Sequence, residues 1–240
     1  MKLSVLIPAY NEVNTLEEAI RRVRGVRLPK EIIVVEDGST DGTRELLMRL
    51  AGEAKPAPDP LNDLKVLFQP KNQGKGAAVR SALSHVTGDI VVIQDADLEY
   101  DPRDYMRLLE PILSGQADVV YGTRFYGGGP HRVLFFWHYL GNQLLTFVSN
   151  VLTNLNLTDM EVGYKVFKSE VLKNINLKSD RFGFEPEITM KVAKKKCRVY
   201  EVPISYHGRT YAEGKKITWK DGIATFYFLI RFWLKDYAGR

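Results

Sequence analysis

The sequence predicts an α/β fold, a mostly parallel central sheet flanked by helices, and three observations carry that expectation. Short β-branched and aliphatic runs alternate with helix-length segments through the first half of the chain. Proline, glycine and polar residues mark the joins between them. Charged residues gather directly after the strand ends, where ligands of open parallel sheets bind. With 240 residues, 45% hydrophobic and 26% charged, the chain is long enough for one sizeable domain with its own core.

The elements follow in order. Leu3 to Ile7 is an apolar run ended by Pro8, the first strand. A helix is expected from about Asn14, with Glu17 three residues on, the spacing of a capping box. Glu31 to Val35 is the second strand, and Asp41 caps a helix reaching about Leu50. Gly52 to Asp63, rich in proline and polar residues, reads as a surface loop. Leu64 to Gln69 is a third strand, Lys75 to His85 a helix and Asp89 to Gln94 a fourth strand. Asp101 caps a helix opened by Pro102, and Ala117 to Gly122 forms a fifth strand. The second half is less regular. Val133 to Asn154 reads as one or two helices, Val162 to Lys168 as a strand, Glu185 to Lys195 as a helix and Arg198 to Ser205 as a strand. Ile217 to Tyr237 closes the chain with an aromatic, amphipathic helix.

A net charge of +5 and a pI near 9.1 favour anionic partners without choosing among nucleic acid, acidic lipid and phosphorylated small molecules. The aromatic-plus-basic motif of an RNA-binding sheet is missing, so no nucleic-acid partner is expected. The lone cysteine, Cys197, excludes an intrachain disulfide and a multi-cysteine metal site and suits a reducing compartment. The chain enters a strand at once, without a signal core, so a cytoplasmic location is expected. Val133 to Thr158 lacks Asp, Glu, Lys and Arg and is long enough to span roughly 30 Å of hydrocarbon. Its amides, Asn142, Gln143, Asn150, Asn154 and Asn156, are costly at mid-bilayer, so it reads as buried or interfacial.

Four charged clusters follow strand ends: 8–12, 36–41, 95–99 and 123–124. Solvated turns and helix caps account for Asp41 and Asp101 but poorly for Asp95 and Asp97. Two carboxylates two residues apart after an apolar strand repel one another, and a cation relieves that repulsion. Mg²⁺ and Mn²⁺ use one or two carboxylates together with substrate phosphate oxygens, which suits this pair. Carboxylate-rich strand ends also occur without metal.

Together, Pro8-Ala9-Tyr10-Asn11-Glu12, Val34-Val35-Glu36-Asp37-Gly38-Ser39, Asn72-Gln73-Gly74-Lys75-Gly76 and Asp95-Ala96-Asp97 resemble the family 2 glycosyltransferases, which have the GT-A fold. Residues 158–165 (TDMEVGYK) and 181–185 (RFGFE) extend the resemblance over nearly the whole chain, toward the dolichol-phosphate mannose synthase and polyprenyl-phosphate branch. The resemblance implies that Pro8, Ala9, Tyr10, Glu12, Asp37 and Ala96 line a nucleotide-sugar pocket, with Asp37 at the base. Asp95 and Asp97 would hold Mg²⁺ or Mn²⁺ against the donor diphosphate. Glu99 stands where branch members often carry Gln, and a third carboxylate there would tighten metal binding or shift its preference. The second strand ends Glu36-Asp37 where the family usually has two aspartates. Gly74-Lys75-Gly76 lacks the spacing of a phosphate loop and reads as a tight helix entry. Arg209, Lys215 and Lys216 lie in a glycine-containing loop that would close over the diphosphate. Asp159 would act as base or acceptor-orienting group, with Glu185 as runner-up.

The implied reaction is hexose transfer with inversion, from a GDP-mannose or UDP-glucose type donor to a polyprenyl or dolichyl phosphate. An anionic acceptor needs little general base but does need cations, and Arg124 and Arg132 are the candidates. A soluble glycan or metabolite acceptor, or a non-catalytic nucleotide-binding module, are the alternatives. Residues 1–215 read as the catalytic domain, divided near 122 into a nucleotide-sugar half and an acceptor half, with 216–240 as the closing helix. The aromatic runs 132–139 and 226–237, flanked by Lys and Arg, suit the inner face of a membrane, bound peripherally, or a homodimer contact.

Overall fold

The computed structural model describes residues 1–52, 63–127, 132–133, 135–181, 183–215 and 219–236. Leu3–Ala9 (β1), Lys30–Glu36 (β2), Asp63–Phe68 (β3) and Ile90–Ile93 (β4) form the parallel half of a seven-stranded sheet. β2 and β4 are buried along their whole length, as continuous aliphatic strands must be when helices cover both faces. Val119–Thr123 (β5), Lys165–Lys168 (β6) and Val199–Pro203 (β7) complete the order β3-β2-β1-β4-β6-β5-β7. β6 runs antiparallel to β4 and β5, and β7 runs parallel to β5. The expected mostly parallel α/β sheet is present, with one reversed strand joining its two halves.

The helices are Leu16–Gly25 (α1), Thr43–Gly52 (α2), Lys75–Leu83 (α3), Tyr105–Leu113 (α4), Phe136–Thr153 (α5), Ser169–Lys173 (α6), Phe184–Lys194 (α7) and Trp219–Asp236 (α8). In α1, Leu16, Ala19, Ile20 and Val23 are buried at helical spacing. Each fully buried Leu, Ile or Val contributes about 1.5–3 kcal/mol, whereas a surface ion pair contributes about 0–1 kcal/mol. The aliphatic sheet and the helix stripes against it, not the surface charges, hold this fold together.

Two expectations need correction. Asn14 does not cap α1. The chain first makes a turn in which Thr15 and Leu16 donate to the Glu12 carbonyl at 3.1 and 2.9 Å, and this shifts the N-cap to Thr15. The strand expected from Val162 begins at Lys165, because residues 158–164 are spent on the turns that carry Asp159 and Gly163 past the sheet edge. Asp41 and Asp101 do cap as expected, accepting from the amides of Thr43 (3.0 Å) and Arg103 (2.9 Å).

α5 and α8 pack against one another, and both leave large apolar side chains in solvent. In α5 the fully buried positions are Thr146, Ser149 and Thr153, while Trp137, Leu140, Leu144, Phe147 and Val151 form an exposed stripe. Trp137 is 77% exposed. α8 buries Leu229 and Phe232 in the common core and exposes Trp219, Ile223, Tyr227 and Leu234. No described helix is long and apolar enough to cross a membrane.

Candidate active site

The loops after β1 and β2 are stitched together. Asn11, in the left-handed conformation (φ 54°), donates its amide to Ser39 Oγ at 3.0 Å and accepts from the Thr40 amide at 2.9 Å. The amide of Glu12 reaches Thr43 Oγ1 at 3.0 Å. Asp37 is buried and accepts from the Gln73 and Gly74 amides at 2.8 and 2.7 Å, fixing the entry to α3. Gly38 (φ 70°) leaves no room for a Cβ, because the backbone of Lys71 and Asn72 lies directly against it. Ala9 and Ala96 are buried, while Tyr10 remains exposed. Glu36 is wholly buried and bonded to Arg44 Nη1 at 2.8 Å, a holding role for this departure from the usual aspartate.

The acidic cluster carries two internal cations. Lys75 Nζ lies 2.9 Å from Asp95 and 3.0 Å from Glu185. Arg209 lies 2.9 Å from Asp97, 3.0 Å from Glu99 and 3.8 Å from Glu12. The cationic relief that the Asp95/Asp97 spacing demands is therefore partly supplied by the chain itself. It is incomplete: burial first, then the Asp95 and Glu99 carboxylates, push Asp97 up to about 7 despite Arg209. Burial alone would lower Lys75, but Asp95 and Glu185 hold it well above its ordinary value.

The residues fit a divalent ion of oxygen preference. Among the described residues no three of His, Cys, Asp or Glu form a ready metal cage, so Asp95 and Asp97 would offer a two-carboxylate seat completed by phosphate oxygens and water. The Asp95 carboxylate is lodged against Gly163, where any Cβ would collide with its Oδ2. Glu99, expected as a third metal ligand, is engaged by the Arg209 loop. Its Oε1 accepts from Arg209 N and Nε at 3.2 and 3.0 Å and its Oε2 from the Tyr206 hydroxyl at 2.8 Å. Its carbonyl also takes the His207 amide at 2.9 Å, so Glu99 pins residues 206–209 over the cluster. Glu99→Gln is expected to leave Mn²⁺ affinity within about threefold of wild type by calorimetry. Amide exchange of residues 206–210 should rise at least severalfold in the same variant.

A second buried cluster centres on Arg124 and Asp159. Arg124 Nε and Nη2 grip both oxygens of the fully buried Asp159 at 2.6 and 2.7 Å, and its amide adds a third bond at 3.1 Å. Asn142 of α5 donates to the same carboxylate at 3.2 Å. Glu201 on β7 holds the loop from behind, accepting from the Thr158 and Asp159 amides at 2.8 and 3.2 Å. The Arg124 guanidinium lies 5.2 Å from the Tyr206 ring and 5.3 Å from that of Phe125. Arg132 donates to the Gly208 carbonyl and Glu213, both at 2.9 Å, and so ties its segment to the Arg209 loop. Lys215 sits over the Phe135 ring at 5.4 Å, and burial lowers its pKa. Lys216 lies outside the described residues.

Three site residues escaped the sequence reading. Lys75 lay in a motif read as helix entry, and Asn142 among amides counted only against a membrane span. Glu161 has an Oε1 buried without a hydrogen-bond partner among the described residues, and burial, then Glu185, push its pKa up to about 8. Its position inside the 158–165 motif was the available signal.

The glycosyl transferase family 2 model matches residues 4–175. The chain belongs to glycosyltransferase family 2. The enzyme is 29% identical over 227 residues to undecaprenyl-phosphate mannosyltransferase of Micrococcus luteus, covering 90% of this chain and 87% of that protein. It is 31% identical over 219 residues to dolichol-phosphate mannosyltransferase of Pyrococcus furiosus, covering 90% of this chain and 59% of the other. The chain therefore spans less than two thirds of the archaeal relative's length. Its fold matches glucosyl-3-phosphoglycerate synthase of Mycobacterium tuberculosis, crystallised with Mn²⁺, uridine diphosphate and glucosyl-3-phosphoglycerate. That match has a TM-score of 0.71 at 20% identity and covers 96% of this chain and 79% of the other. The family 2 glycosyltransferase thus has the GT-A fold and resembles the polyprenyl-phosphate branch.

Proposed function

We propose that the enzyme moves a hexose, with inversion, from a nucleotide-diphosphate sugar to a polyprenyl phosphate at the cytoplasmic face of a membrane. One observation carries the lipid acceptor: Arg124, braced by Asp159, stands beside α5, whose solvent face is an apolar stripe. That pairing offers a cation to a phosphate and an apolar surface to the chain attached to it. The named relatives support the same acceptor class.

Asp95 and Asp97 would hold Mg²⁺ or Mn²⁺, which when bound supplies positive charge at the departing diphosphate. Arg209 and Lys215 would add counter-charge from the loop, and Pro8, Tyr10, Glu12 and Asp37 would receive the nucleotide. An oxygen of the lipid phosphate attacks the anomeric carbon as the bond to the diphosphate oxygen breaks, without a covalent intermediate on the protein. The phosphate is already anionic at neutral pH, so proton removal is not required. Asp159 then orients rather than deprotonates: both its oxygens are engaged, by Arg124 and Asn142, and none of its surface is exposed.

Incubation with labelled GDP-mannose or UDP-glucose, Mn²⁺ and undecaprenyl phosphate should give solvent-extractable label. Undecaprenol without its phosphate should give none. Label that passes to the unphosphorylated lipid, or only to water-soluble acceptors, overturns the reading.

A further inference from the structure

A second concave site adjoins the entry to α3, between α8, residues 71–73 after β3 and residues 178–181 before α7. It is a cavity of about 630 Å³. Lys71, Lys178, Arg181, Arg231 and Lys235 line it, and none of these five forms an ion pair with any described residue. The carboxylate on its wall, Asp180, is already taken by Arg80. Five exposed cations around one hollow, with Arg231 also over the Phe228 ring at 6.0 Å, make a positive local potential that attracts an anion.

The place of this hollow on α8 decides which anion. Phe228, Arg231, Phe232 and Lys235 recur at helical spacing and face the cavity. Trp219, Ile223, Tyr227 and Leu234 occupy the neighbouring stripe and point to solvent. A helix with an apolar face bordered by cations lies in a bilayer interface, apolar side down, with its cations at the depth of the phosphates. The Phe228 ring, stacked at 5.9 Å on the core residue Phe232, gives the cavity an apolar wall beside its cationic rim, and a phospholipid offers matching parts.

We propose that this cavity binds the phosphate-bearing headgroup of an anionic phospholipid and so anchors the enzyme beside its acceptor. The assignment rests on the membrane-surface reading above and adds a defined site to it.

The test is co-sedimentation with vesicles of phosphatidylcholine alone or with 30% phosphatidylglycerol. The full chain is compared with Lys178→Gln/Arg231→Gln/Lys235→Gln and with a control of equal charge loss elsewhere, Arg27→Gln/Lys195→Gln/Lys196→Asn. The substituted side chains are at the surface, and matching melting curves verify that each variant is folded. Wild type and control should prefer the anionic vesicles by roughly tenfold or more, and the cavity variant should lose that preference. Equal loss in both variants means diffuse charge rather than a site and overturns the proposal. Equal binding of wild type to both vesicles also overturns it while leaving membrane docking intact; no binding to either removes the membrane reading as well. A fourth arm adds inorganic phosphate at matched ionic strength. If it raises the melting temperature of the wild type alone while vesicle preference is unchanged by the cavity substitutions, the site takes a soluble anion and the lipid assignment fails.

Discussion

Asp97→Ala abolishes divalent-dependent binding of the nucleotide sugar and lowers transfer by roughly 10³-fold. Asp97 is one of the two carboxylates proposed to seat the ion, and its loss also removes one anion from Arg209, which it holds at 2.9 Å, leaving Glu99 and the more distant Glu12. Calorimetry with Mn²⁺ and UDP or GDP reads the effect directly, and unchanged affinity removes Asp97 from the metal site. The wild type carries a pH signature in the same measurement. Burial and the neighbouring carboxylates raise Asp97 to about 7, so below that pH a proton competes with the ion. Mn²⁺ affinity should climb roughly fivefold from pH 6 to pH 7 and nearly twofold more by about pH 8, then level off. Folding stability of the metal-free protein moves the opposite way. The native state keeps a proton that the unfolded chain, with its ordinary carboxylate near 3.8, has lost. This group's contribution is therefore full below about pH 4 and is lost as pH rises toward 7.

Asp159→Asn leaves donor affinity within about twofold and cuts transfer by roughly 10²–10³-fold. The variant keeps an oxygen for Arg124 but loses the charge that fixes the guanidinium. Removing one partner of a buried pair costs about 3–5 kcal/mol, so a lowered melting temperature accompanies the loss. A purely structural role is separated from a positioning role by Arg124→Met/Asp159→Leu, which removes both charges. That pair should regain much of the stability without regaining transfer. Recovery of both would show that the bridge serves folding only.

The parallel half of the fold was legible because its strands are continuous aliphatic runs with prolines and glycines between them. The reversed strand β6 was not, since four residues, Lys165–Lys168, carry no sign of direction, and their partners lie some 45 or more residues away in the chain. The carboxylates of the site were visible as motifs. What the carboxylates touch was not: nothing in the spacing says that Lys75 spans Asp95 and Glu185, or that Glu99 is occupied by residues 110 positions later. Repulsion between Asp95 and Asp97 was a sound expectation, and the chain answers part of it with its own cations.

α5 meets water with its apolar stripe and meets the site with its opposite side. Asn142 touches Asp159, Thr146 receives the Met160 amide at 3.2 Å, and Asn150 clasps Leu157 through both its amide atoms, at 2.7 and 3.0 Å. One helix thus holds the segment 157–160 by four polar fastenings spaced along about two and a quarter of its turns. The helix that shows apolar side chains to solvent is therefore the same one that fastens the carboxylate gripping Arg124.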